Sequence, residues 1–91
     1  MRNAKIDRNH NEIVNALRGI GASVTSLAGV GNGVPDIIVG YNYQNYLMEI
    51  KGQNGVLTPA QIIWHENWKG TVYVVRTAEE AISILQGDLP I

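Results

Sequence analysis

Three side chains able to do acid, base or metal chemistry fall close together in the middle of the chain. They are Asp36, then Glu49 thirteen residues later, then Lys51. The runs 36–41 and 46–51 are β-rich and are separated by Asn42-Tyr43-Gln44-Asn45, four turn-prone polar residues, which predicts a hairpin. A four-residue turn pairs Tyr41 with Tyr46, so that Ile38 faces Glu49 and Asp36 faces Lys51. Strand side chains alternate between faces, so Asp36, Glu49 and Lys51 share one side, with direct and diagonal neighbours roughly 5–8 Å apart. Two carboxylates beside an apolar core repel each other unless something positive lies between them. A hard divalent cation meets that need, because Mg²⁺ takes oxygen ligands and is usually held by one or two carboxylates plus a substrate phosphate. Lys51 could then orient or deprotonate a water, or neutralise a phosphorane-like transition state.

The elements that must position these groups follow from periodicity. Ile13, Ala16, Leu17 and Ile20 recur at helical spacing and Gly19 and Gly21 end the run, which predicts a helix over about 8–19. Glu12 sits at the border of that apolar face. Read from periodicity alone it is equally an ordinary solvated glutamate or a third carboxylate reaching the site. Residues 22–27 predict a first strand, and the Ala28-to-Pro35 stretch, rich in glycine, a loop. Thr58-Pro59-Ala60-Gln61 predicts a capped helix running to about Trp68. Residues 71–75 predict a fourth strand, and Thr77 with Glu80 a capping box that opens a third helix. The expected order is αβββαβα, an α/β domain over 1–91 with a mixed four-stranded sheet flanked by helices.

Composition bounds the function. Ninety-one residues, 45% hydrophobic and 16% charged, suffice for one thin core. Cysteine is absent, which excludes disulfides, thiolate zinc sites and a cysteine nucleophile and fits a reducing cytoplasm. No apolar run approaches a membrane span or a secretory signal, so a cytoplasmic chain with no membrane partner is expected. Seven basic against eight acidic residues give a net charge of −1, which disfavours phosphate binding. One divalent cation would bring that to +1 and a second to +3.

Gly33-Val34-Pro35-Asp36 followed by Glu49-Ile50-Lys51 resembles the signature of the PD-(D/E)xK nuclease superfamily, in an αβββαβ context that suits its core. The closer resemblance is to stand-alone virus-type replication-repair nuclease (VRR-NUC) domains, and more loosely to archaeal Holliday-junction resolvases. Its four pieces here are Glu12, Gly33 to Asp36, Glu49 to Lys51, and Thr58 to Gln61. The resemblance implies that Asp36 and Glu49 bind Mg²⁺ or Mn²⁺ with the Ile50 carbonyl as a further ligand. It implies that Lys51 is the catalytic lysine, that Glu12 completes the metal site directly or through water, and that Gln61 positions substrate or the attacking water. Lys5, Arg8, His10, Gly33, Gly52 and Thr58 are the candidate nucleic-acid contacts. No organic cofactor is implied.

Other features are blander. The loop 29–33 lacks the lysine and spacing of a nucleotide-binding loop, and His10 and His65 have no metal-ligand spacing. Trp64 and Trp68, at i, i+4, suit packing against the core or a partner subunit better than base stacking. Tyr41, Tyr43 and Tyr46 around the hairpin tip suit equally a monomer with solvated loop tyrosines or an interface, there or along the second helix; the resemblance favours the latter, a homodimer that offers two sites to a two-fold substrate. No helix carries Arg, Asn and Gln at groove spacing, so DNA shape is the expected cue. The expectation is a metal-dependent endodeoxyribonuclease acting on branched DNA such as Holliday junctions. Its rivals are a catalytically silent nucleic-acid-binding or assembly module, and a scaffold in which Asp36 and Lys51 form only a salt bridge.

Overall fold

The computed structural model describes residues 4–87, with side chains from Asn9 onward. The elements are α1 (Ala4–Gly19), β1 (Ser23–Ser26), β2 (Ile37–Tyr41), β3 (Gln44–Ile50), α2 (Pro59–Asn67), β4 (Val72–Val75) and α3 (Ala78–Gln86). This is the expected order. The first helix starts four residues before the expected 8, in a stretch where Ala4, Lys5 and Arg8 are good helix formers. Both threonine caps form as expected: Thr58 Oγ1 accepts from the Gln61 N–H at 3.2 Å, and Thr77 Oγ1 from the Glu80 N–H at 3.1 Å.

The strands lie in the order β1-β2-β3-β4, antiparallel except for the parallel β3–β4 pair. A parallel pair needs a crossover, and α2 supplies it, returning over the sheet against the direction of β3. The hairpin differs from expectation. Tyr41 pairs with Gln44, not Tyr46, and the turn is the two residues Asn42 and Tyr43, at φ 52° and 62°. Two positive φ values give a turn whose twist matches the strands it joins, and a tyrosine in that region is not what composition signals. The register is therefore two residues off the expected one. Because side chains alternate with period two, the slip leaves every residue on its expected face.

One face of the sheet is dry. Ile37, Val39, Met48 and Val75 pack there against Ile13 and Leu17 of α1 and Ala81 of α3, all with no exposed surface. The other face carries Ile38, Leu47 and Val74, and α2 crosses it without burying any of its own residues.

Candidate active site

The site lies where β2 begins and β3 ends, on the α2 face. One step beyond the Ile37–Met48 pair, the register sets Asp36 opposite Glu49, directly rather than diagonally as the four-residue turn would have it. Asp36 is half-buried, and its Oδ2 accepts from the Ile50 N–H at 2.7 Å. Its hydrogen-bond partner is thus the β3 backbone and not the Lys51 ammonium. Proline and glycine bring it there: Pro35 is fully buried, and Gly33, at φ 83°, has its backbone so close to the Ala60 carbonyl that a Cβ could not fit. The loop is fastened to the first turn of α2 and is not a free turn.

Glu49 is 1% exposed, the one buried charged side chain among the described residues. Its Oε2 accepts from Gln61 Nε2 at 3.0 Å, while Gln61 Oε1 accepts from the Thr58 N–H at 2.9 Å. One glutamine amide therefore closes the α2 cap and holds the carboxylate. Glu49 Oε1 is buried with no hydrogen-bond partner. Burial first, then the neighbouring Asp36 carboxylate, push the Glu49 pKa up to about 8, against a smaller opposing pull from Lys51. A pair so placed calls for a proton or a cation between its oxygens.

That orphaned oxygen, with two facing carboxylates and no soft ligand nearby, fits a hard, oxygen-seeking cation. Asp36, Glu49 and the Ile50 carbonyl are the groups that would hold it. Glu12 does not join them: it is exposed on α1, and no group of three His, Cys, Asp or Glu side chains converges among the described residues. A helix position at the border of the apolar face turned outward here. The α1 residue that reaches the site is Asn9, whose Nδ2 donates to the Lys51 carbonyl at 3.0 Å. Composition gave no signal for it.

Lys51 is half-buried, with its N–H on the Val75 carbonyl at 3.0 Å. His65, one turn beyond Gln61, is held below its ordinary pKa by burial first and by the Lys51 ammonium second, and its Nε2 is buried without a partner. The i, i+4 spacing from Gln61 was the available signal for this second α2 group near the lysine. Of the candidate nucleic-acid contacts, His10 is half-buried on α1, Thr58 Oγ1 serves as the α2 cap, and Gly52 turns its carbonyl to Arg76 at 2.6 Å. The side chains of Lys5 and Arg8 lie outside the described residues. Trp64 and Trp68 stack on each other, centroids 4.7 Å apart and 17° from parallel, instead of entering the core. Trp68 stays 47% exposed beside an open hollow of about 360 Å³ that Asn32 and Asn67 also line.

A mixed β-sheet between helices, with an acidic pair at the end of one hairpin, defines an α/β domain. No family model matches the chain, and no curated protein matches it. A solved structure described as a VRR_NUC domain is similar to it, with a TM-score of 0.70 and 22% identity, over 90% of this chain and 95% of that chain. At that identity the likeness shows the fold: this chain has the VRR-NUC fold that its motifs resemble.

Proposed function

We propose that the chain is a metal-dependent endodeoxyribonuclease that hydrolyses DNA phosphodiesters. The observation that carries this is Glu49: a nearly inaccessible carboxylate, opposite Asp36, with one oxygen held by Gln61 and the other unpartnered. A structural glutamate would have both oxygens satisfied or would lie in solvent. Bound Mg²⁺ or Mn²⁺ would supply Lewis-acid polarisation of a phosphoryl oxygen and a more acidic water. Asp36 and Glu49 give the anionic oxygens, with their orientation fixed by the Ile50 N–H and by Gln61. Lys51, two residues along the same strand face, sets an ammonium against the charge that builds on the phosphate. Gln61 acts by holding Glu49, since both ends of its amide are engaged within the protein.

The finer reading is a homodimer acting on branched DNA. It is supported by the absence of a base-reading helix in the sequence and by the exposed apolar side chains of α2. Cleavage of a labelled four-way junction in Mg²⁺ or Mn²⁺, beside linear duplex, a flap and single strand, with Asp36→Asn in parallel, tests both levels. Paired symmetric nicks lost with the variant and with chelator are expected. Cutting of flaps or duplex alone would retain the nuclease and remove the junction and dimer reading. Wild type that cuts nothing would leave the silent module, and a variant as active as wild type would leave the scaffold in which Asp36 and Lys51 form only a salt bridge.

A further inference from the structure

The backbone directly after Lys51 is irregular, yet its carbonyls are nearly all taken. Asn9 Nδ2 donates to the Lys51 carbonyl at 3.0 Å. Arg76 Nη1 donates to the Gly52 carbonyl at 2.6 Å and to the Gly55 carbonyl at 2.7 Å, with a longer contact to the Gln53 carbonyl at 3.4 Å. The Gly55 N–H closes the same turn on the Gly52 carbonyl at 3.1 Å. Arg76 is itself tied down, its backbone N–H donating to Glu80 Oε1 within the α3 capping box. Arg76 Nη1 alone meets the carbonyls of one turn, and the planar guanidinium behind it fixes the direction of its two N–H groups.

The turn packs on the root of the lysine, so that a Cβ on Gly55 would stand 3.6 Å from Lys51 Cβ. A lysine ammonium rides on four rotatable bonds, and its placement is only as definite as its backbone and stem. We propose that Arg76, aided by Asn9, is the positioning residue for Lys51. The two side chains clamp the strand end, one from α1 and one from the β4–α3 junction, and present the ammonium to the reacting phosphate. This rests on the nuclease reading for its kinetic arm but not for its spectroscopic one.

The test is Arg76→Met, Arg76→Lys and Asn9→Ala, each assayed for nicking and for Mn²⁺ affinity, with lysine side-chain NMR. The chain has three lysines, so Lys51→Arg assigns the signal. Arg76→Met is expected to lower kcat about 10–100-fold, as displacing a catalytic group by about 1 Å does. KM for DNA and the Mn²⁺ dissociation constant stay within about twofold, because phosphate and metal groups are untouched. Arg76→Lys recovers part of kcat, and Asn9→Ala loses severalfold. The Lys51 methylene signals, dispersed in wild type, collapse towards those of a free lysine in Arg76→Met. A folded Arg76→Met with wild-type kcat, or one whose loss is all in KM, overturns the assignment. Wild type that cuts no DNA sinks the nuclease reading alone; the Lys51 signal then decides, and its persistence unchanged in Arg76→Met overturns the clamp. Should Arg76→Met not fold, Arg76→Lys and Asn9→Ala carry the same two readouts.

Discussion

On one face of the sheet Ile13, Leu17, Ile37, Val39, Met48 and Val75 have no exposed surface, whereas on the other α2 buries nothing and leaves Ile62 and Ile63 43% and 58% exposed. The same four strands thus carry a closed core on one side and, on the other, a carboxylate pair of which Glu49 is buried and Asp36 half-buried, beneath a loosely seated helix. Burial there is local: Glu49 is enclosed while the apolar residues of the helix above it are open. Close packing on the α1/α3 face holds the strands in register, and the α2 face is left free to be shaped around charge. Substitutions on the two faces are therefore expected to separate activity from stability.

The largest separation is expected at the acidic pair. Asp36→Asn or Glu49→Gln should lower nicking about a thousandfold or more, equivalent to the several kcal/mol that charge stabilisation at a metal site supplies. Folding should be retained, and above about pH 8 without metal Glu49→Gln should raise Tm, because there it removes a buried charge and leaves a carbonyl to which Gln61 Nε2 can still donate. Cleavage and thermal unfolding measured on the same preparations check this. Loss of stability with Glu49→Gln as large as that of a core truncation would make the α2 face structural after all.

The reciprocal change is Leu17→Ala or Met48→Ala on the closed face, which should cost about 2–5 kcal/mol. Both side chains are fully buried in one cluster, and a thin core has little room to collapse around the gap. Urea unfolding reads the loss, while nicking per folded molecule, taken well below Tm, should remain within about threefold of wild type. A core variant that folds but loses its metal affinity would mean that the two faces are mechanically coupled.

This division was only half visible in the chain. The core face announces itself through periodicity, since Ile13 and Leu17 recur at helical spacing and Ile37, Val39, Met48 and Ile50 at strand spacing. The caps at Thr58 and Thr77 are local chemistry and could be read as such. Asp36, Glu49 and Lys51 fell on one face even with the turn misjudged, because an error of two residues in register preserves parity. What escaped was non-local. Asn9 lies 42 residues from Lys51, and Arg76 24 residues from Gly52, and no periodicity links such pairs. Glu12 lay at a helical border, where spacing cannot decide between inward and outward, and it turned outward. Tyr43 at positive φ is set by strand twist, which overrode its own preference.

A smaller effect distinguishes the faces by pH. Glu49 titrates near 8 in the fold against an ordinary 4.5, so between those values the folded chain holds a proton that the unfolded chain has released. Stability without divalent metal is therefore full below about pH 4.5 and is lost as pH rises through about 8, by about 2–4 kcal/mol after allowance for solvent relaxation. Saturating Mg²⁺ or Mn²⁺ should restore it at pH 8 and above, and Glu49→Gln should flatten the profile. Urea titrations at several pH values, with and without metal, check the sign. Stability that stays level with pH over this range would show that Glu49 is ionised throughout, its charge compensated by Lys51 within the protein.

The smallest expected effect on folding is at Trp68, and it bears on what covers the open face. Its ring stacks on Trp64 but is 47% exposed, so Trp68→Ala should cost the monomer about 1 kcal/mol, the range of an aromatic pair at the surface. If a second copy seats on α2, the same substitution removes an aromatic anchor from an interface, where truncation commonly costs about 2 kcal/mol or more. Sedimentation over a range of concentrations should then show dimer in wild type and monomer in Trp68→Ala, with paired junction nicks becoming single ones. Equal sedimentation of the two, with Tm barely moved, would leave the tryptophan stack a local brace for the end of α2 and place any dimer contact elsewhere, the fully exposed Tyr43 at the hairpin tip being the next position to change.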